Sequence, residues 1–300
     1  MKIVVAIATL GRPADLGCAL RDLARQSLPP DRVIVSATGP DDIDAQAIAE
    51  CAVPIEIIFG AKGLTRQRNR VLDSLGSEDV VLFLDDDFVM ASDYVAGIER
   101  IFRCCPDIVI ATGDVLADGI GDSGLSYDRA RAILRDSDPL PRNRDMIDVN
   151  NGYGCNMALR TAPIQRHALR FDEALPLYGW LEDVDFCARL ARHGRCVKCH
   201  ALRGVHLGAK GGRTSGLRLG YSQVANPIYL AGRASMRRGH AVRMIGRNML
   251  ANAAKSLRPE PWIDRRGRLR GNVMALADLL SGRMSPLRVL DLGGAIDGRS

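Results

Sequence analysis

Apolar residues in the first 115 positions come as short, nearly continuous runs: 2–9, 32–36, 55–59, 80–84 and 108–115. Each is rich in Val, Ile and Leu, and runs of this length without regular polar alternation are the pattern of strands buried on both faces. The intervals between them, 16–26, 41–51, 62–75 and 92–104, read as helices. Strand and helix alternating at this spacing predicts βαβ units with right-handed crossovers. The expected fold is therefore α/β, with a mostly parallel, Rossmann-like central sheet flanked by helices.

Beyond residue 115 the pattern changes. Residues 116–150 are polar and irregular, with one short helix at 127–134, and resemble an excursion that shapes a cleft. A glycine-bearing turn and short strand follow at 150–160, then a helix from Val184 to His193 and a strand from Cys196 to Val205. From Leu217 to Lys255 the period is helical and is expected to break at Pro227. A last amphipathic helix is expected after Arg270, with Leu269, Val273, Leu276 and Leu280 on one face. The chain thus reads as a sheet domain over 1–216 and a helical C-terminal extension over 217–300.

The strand at 80–84 is followed at once by Asp85, Asp86 and Asp87. Unpaired charges cannot continue into a core, so the strand is expected to end where Asp85 begins. Three acids then sit at the carboxyl end of a central strand, where open α/β sheets bind ligands. Like charges side by side need a cation or donors to offset them, and a divalent ion carrying a phosphate does so. An acidic turn capping the next helix is the plain alternative.

A second acidic group, Glu182, Asp183 and Asp185, opens the helix near 184. Acids in a first helical turn suit the macrodipole, which is structural role enough. Tyr178 and Trp180 just upstream supply flat surfaces for sugar rings, and a carboxylate near a metal-held substrate suits a general base. His206 ends the preceding strand and meets a basic glycine loop, Gly208 to Gly216, that reads either as a metal ligand beside a phosphate lid or as a solvated connection.

Composition adds limits. Hydrophobic residues make up 47% and charged residues 25%, as in an ordinary globular protein. No apolar run approaches the ~18–20 residues that span a bilayer. The N-terminus reads as a first strand, not a signal peptide, so a cytoplasmic protein is expected. The eight cysteines are expected to be reduced; Cys196-Val-Lys-Cys199-His200 matches a haem-attachment pattern only by accident. The net charge of +6 hides an asymmetry: residues 201–300 carry 18 Lys/Arg against 5 Asp/Glu, the remainder 23 against 30. The basic third, with Arg265, Arg266, Arg268 and Arg270 before the last helix, reads either as contact with an anionic membrane surface, which would make the protein peripheral on the inner membrane face, or as a solvated edge beside a helix packed on the domain. Nucleic acid is not expected, because only Trp262 lies among these arginines. Dinucleotide binding is also disfavoured. The glycine pattern at Gly119, Gly121 and Gly124 is not followed by a strand with a terminal acid, and no Walker A motif occurs.

Taken in order, Thr9-x-x-Arg12, Gly63-Leu-Thr-Arg-Gln-Arg68-Asn69, Phe83-Leu-Asp85-Asp86-Asp87, Gly154-Cys-Asn156-Met, Trp180-Leu-Glu182-Asp183-Val-Asp185 and His206 resemble the family 2 glycosyltransferases of the GT-A fold, of the bacterial surface-polysaccharide type. The resemblance covers most of 1–216. It implies an inverting transfer from a nucleoside-diphosphate sugar to a hydroxyl of a saccharide or lipid-linked acceptor. By resemblance, Thr9, Arg12, Arg68, Asp85, Asp86, Asn156 and Trp180 would bind the nucleotide sugar. Asp87 and His206, supported by Asp85, would hold Mg²⁺ or Mn²⁺. Asp183, beside Glu182, would take the acceptor proton. The second strand ends Ser36-Ala37-Thr38 and lacks the aspartate that often reads uracil in this family, so dTDP- and GDP-sugars stand beside UDP-sugars as donors. Two other readings compete: a sugar-phosphate nucleotidyltransferase, which wants a richer glycine loop than Gly11-Arg12, and a non-catalytic module binding the membrane surface.

Overall fold

A computed structural model describes residues 1–138, 145–211 and 214–292. The chain divides into two compact units: residues 1–62, 66–170 and 186–212, and residues 63–65, 171–185 and 213–300.

The first unit holds one nine-stranded sheet. Strands β1 (Ile3–Ala8), β2 (Arg32–Ala37), β3 (Ile55–Phe59) and β4 (Val80–Asp85) pair in parallel in the order β3-β2-β1-β4. Helices α1 (Pro13–Ala24), α2 (Ala45–Glu50) and α3 (Leu64–Asp73) follow the first three strands, and α3 crosses from the second unit into the first. Val80 to Leu84 are at most 2% exposed, and burying each large aliphatic side chain contributes about 1.5–3 kcal/mol. This fixes β4 in the middle of the sheet.

After β4 the sheet becomes mixed. A short strand β5 (Phe88–Met90) that the hydrophobic pattern does not announce precedes α4 (Tyr94–Cys104), β6 (Ile108–Asp118), α5 (Tyr127–Ser137), β7 (Met146–Asp148), β8 (Asn156–Arg160) and α6 (Thr161–Arg166). Strand β8 inserts antiparallel between β4 and β6, and β9 (Arg195–His206) lies parallel to β6 and antiparallel to β5 and β7. Strand β4 runs through Asp85 rather than stopping before it: the charge is carried at the sheet's edge of burial, where Asp85 is only partly covered. Helix α7 (Glu182–Leu190) starts two residues earlier than the periodicity suggests, and its first turn contains all three acids.

The second unit is helical, with α8 (Gly216–Gly232), α9 (Arg238–Lys255) and α10 (Arg265–Leu280). Two expectations fail here. Helix α8 continues through Pro227, because Tyr221, Val224 and Ala225 before the proline and Leu230 after it are buried, and tertiary packing outweighs the lost N–H bond. The chain breaks instead at 233–237, where Ala234 adopts φ +59°. Helix α10 begins at Arg265, capped by the Asp264 carboxylate accepting from the Gly267 amide. Its buried face is Gly271, Asn272, Ala275 and Asp278, while Val273 is 56% and Leu280 90% exposed. Gly271 lies so close to α8 that a Cβ there would meet the Leu217 carbonyl oxygen at 2.1 Å. Small residues let these two helices approach, so the expected leucine stripe is not the seam. Among the described residues, no helix is long and apolar enough to cross a membrane.

Candidate active site

The first unit gathers a cluster at the carboxyl ends of β4 and β9. One ligand atom from each of Asp85, Asp87 and His206 lies within 4.8 Å of the others. Sheet register brings them together: β5, directly after Asp87, pairs Phe88 with His206. That pairing needs Gly204, since a Cβ there would meet the Phe88 ring at 2.0 Å.

His206 is held from both sides. Nδ1 lies 2.9 Å from Asp118 Oδ1, and Asp118 Oδ2 accepts from the Tyr153 hydroxyl at 2.7 Å. Nε2 faces Asp87 Oδ1 at 3.4 Å and Asp85 Oδ2 at 4.0 Å. Burial alone would lower the imidazole pKa, but the carboxylates of Asp118 and Asp87 outweigh it and hold it above its usual value. Burial would likewise raise Asp87, yet His206, Arg12 and the Ala209 amide hold its carboxyl below the ordinary range. Asp87 Oδ1 is buried without a well-formed hydrogen bond. Two carboxylates and an imidazole, with one buried carboxylate oxygen lacking a well-formed hydrogen bond, are a donor set that fits a divalent cation.

Asp86 points elsewhere. Its Oδ2 accepts from the Thr9 hydroxyl at 2.8 Å, and Oδ1 lies 2.7 Å from Arg12 Nη2. Burial nevertheless drives its carboxyl up to about 8, Arg12 and Thr9 offsetting only part of that cost while Asp87 adds to it. The turn that carries Arg12 is pinned by Asp42, which accepts from the Gly11 amide at 2.6 Å and the Thr38 amide at 2.8 Å. Gln67 ties the ends of β1 and β2 by donating to the Thr9 and Ser36 carbonyls, both at 2.8 Å. Arg68, 2% exposed, donates to the Gly154 carbonyl at 2.8 Å, lies 3.4 Å from Asp85 and rests over the Phe83 ring. Asn156 is fully buried, with Oδ1 accepting from the Thr112 hydroxyl and the Gly113 amide. Its side chain ties β8 to β6.

Thus Thr9, Arg12, Arg68, Asp85, Asp86, Asp87 and His206 converge. Asp118 and Tyr153 belong with them and were not predicted. Asp118 is the register partner of His206 on β6; its one signal in the sequence is that an acid ends a β-patterned stretch, as Asp85 does.

Trp180, Glu182 and Asp183 belong to the second unit. Trp180 lies within, and Glu182 and Asp183 follow, a turn in which Leu177, Gly179 and Leu181 all adopt left-handed φ, at +58°, +63° and +72°. Two leucines in that region store strain of the kind found at binding sites. The turn is held by the Leu64 amide on the Leu177 carbonyl, the Glu182 amide on the Gly179 carbonyl, and Asn226 on the Trp180 carbonyl. Tyr178, Trp180, Arg218, Leu219, Ser222 and Val289 line a groove beside it. Glu182 and Asp185 are buried, the latter accepting from the Ser235 hydroxyl at 2.6 Å, whereas Asp183 is half-buried. In the basic glycine loop, Gly212 and Arg213 lie outside the described residues.

The chain belongs to glycosyl transferase family 2, whose family model matches residues 4–167. Among solved structures it is similar to S. aureus TarS 1–349 in complex with UDP-GlcNAc (14% identity, 94% of this chain and 81% of that one, TM-score 0.56). It is also similar to the mannosyltransferase PcManGT from Pyrobaculum calidifontis in complex with GDP-Man and Mn²⁺ (15% identity, 99% and 88%, TM-score 0.56). A further TarS structure is similar over 95% of this chain, which spans 50% of that one (14% identity, TM-score 0.55). No curated protein matches. At these identities the solved structures establish the fold: a GT-A-like α/β sheet with C-terminal helices.

Proposed function

We propose that this chain is a metal-dependent inverting glycosyltransferase that moves a sugar from a nucleoside diphosphate to a hydroxyl of a saccharide or lipid-linked acceptor. The observation that carries the reading is the convergence of Asp85, Asp87 and His206 at the strand ends, where one ligand atom from each lies within 4.8 Å of the others. These three residues would hold Mg²⁺ or Mn²⁺. Bound there, the ion would offset charge developing on the departing diphosphate. Asp118 orients His206 so that Nε2 faces the acids. Arg12 supplies a cation for phosphate oxygens, and Thr9, Asp86 and Arg68 shape the nucleoside pocket. Asn156 supports that pocket from within the sheet.

Asp183 is the proposed base. It accepts the acceptor proton as the new C–O bond forms at the anomeric carbon and the bond to diphosphate breaks, giving inversion. The helix N-terminus stabilises its charge, and buried Glu182 beside it fixes the turn. Trp180 and Tyr178 offer faces for an acceptor sugar. The basic helical region would place the protein at the anionic inner membrane surface, where a lipid-linked acceptor resides.

A thermal-shift screen of UDP-, dTDP- and GDP-sugars with and without Mn²⁺ tests the reading. One donor should stabilise the protein only when the ion is present. Equal stabilisation with and without Mn²⁺ would overturn the metal-dependent reading, and release of pyrophosphate from a nucleoside triphosphate would replace it with the nucleotidyltransferase alternative.

A further inference from the structure

Helix α9 has two apolar faces and only one of them is used. The inner face, Ala241, Met244, Ile245 and Met249, packs against its neighbours in the second unit. It is locked in rotation by Asn252, which is 1% exposed and donates to Gln223 at 2.8 Å and Asn272 at 2.9 Å while accepting from Arg265. Rolling the helix would strand those amides in an apolar seam, a cost that keeps the opposite face outward. On that opposite face Val242 is 70%, Leu250 72% and, just past the helix end, Leu257 82% exposed. Gly246 and Ala253 or Ala254 fill the intervening steps of three or four, so the stripe is continuous.

Cations flank it. Arg243, Arg247 and Arg258 are exposed, and no Asp or Glu occurs between Arg233 and Pro259. The nearest acid in sequence, Glu260, is already engaged by Lys255 and Arg265. By contrast, the Arg265–Arg270 run that looked like the membrane element in sequence lies on α10, where Arg265 is spent on this internal network.

We infer that the outer face of α9 is the surface that docks on an anionic lipid bilayer, its aliphatic stripe entering the headgroup boundary and its arginines pairing with lipid phosphates. The inference rests on the membrane contact proposed above and names the surface that makes it. Charge complementarity selects this occupant. A second copy would set Arg243 and Arg247 against their own counterparts. Nucleic acid would find no Phe, Tyr or Trp between Leu230 and Pro261 on which to stack a base.

The test is co-sedimentation of the full chain with phosphatidylcholine vesicles, with and without phosphatidylglycerol. The unaltered protein should bind the anionic vesicles and be released by salt. The variant V242S/L250S/L257S should lose binding by on the order of tenfold or more, and R243Q/R247Q/R258Q should lose the preference for phosphatidylglycerol. Both alter exposed positions only, so their melting temperatures should match that of the parent. Anionic vesicle binding by the parent, unchanged in both variants, overturns the assignment to α9 and leaves membrane contact standing on another surface. No vesicle binding by the parent overturns both. Concentration-dependent dimerisation abolished by L250S, without vesicle binding, would assign the face to a second copy instead.

Discussion

The acids at 85–87 and those at 182–185 have nearly the same composition and opposite fates. The first group closes β4 at Asp85 and turns at Asp86 and Asp87 into β5. Across that turn Asp85 and Asp87 face His206, Asp86 faces Thr9, and Arg12 pairs with both Asp86 and Asp87. A strand end and its turn let residues remote in sequence assemble around three neighbouring carboxylates. The second group begins a helix, which fans its acids apart. Glu182 and Asp185 go inward, the latter to Ser235, and Asp183 is left half-buried. A run of acids is thus not one functional unit; the backbone beneath it decides how many sites it serves.

That contrast can be broken experimentally. Asp87→Ala should abolish Mn²⁺ binding and reduce transfer about a thousandfold or more, followed by Mn²⁺ titration and turnover. Asp183→Asn should lower kcat by roughly 10²–10⁴ yet leave metal-dependent nucleotide binding intact in calorimetry. If the two variants lose the same step, the division of labour between the clusters is wrong. Asp118→Asn should weaken Mn²⁺ binding by about 10–100-fold, because His206 would lose the carboxylate that orients it. Tyr153→Phe should do so less, since it removes only the support behind Asp118. The smallest effect belongs to Ser235→Ala, which removes a hydrogen bond to the buried Asp185 carboxylate. It should cost about 2 kcal/mol of stability, read by denaturant unfolding, with kcat unchanged.

Much of the parallel half was legible because buried parallel strands are written as local apolar runs, and the strands at 3–8, 32–37, 55–59 and 80–85 needed no distant information. Strands β5 and β7 were not legible. Each has three residues and exists through its pairing with β9. The same limit hid Asp118 and Tyr153, whose link to His206 arises from the β6–β9 register and not from spacing along the chain. In the helical region the error was one of kind. The apolar periodicity points to Leu269, Val273, Leu276 and Leu280 as the packed face of α10, but Gly220 and Gly271 bring α8 and α10 so near that glycine, asparagine and alanine form the seam. Of the predicted stripe, Val273 and Leu280 face outward and Leu276 packs inward.

Gly204 shows where this leads. It bears no functional group, yet the ring of Phe88 occupies the space its side chain would fill, and Phe88 follows directly on Asp87. Replacement by even alanine must displace that ring, and with it the backbone that aims the carboxylate. A saturation library scored for turnover should therefore find position 204 as intolerant as the residues that perform the chemistry, although a screen for reactive side chains would pass over it.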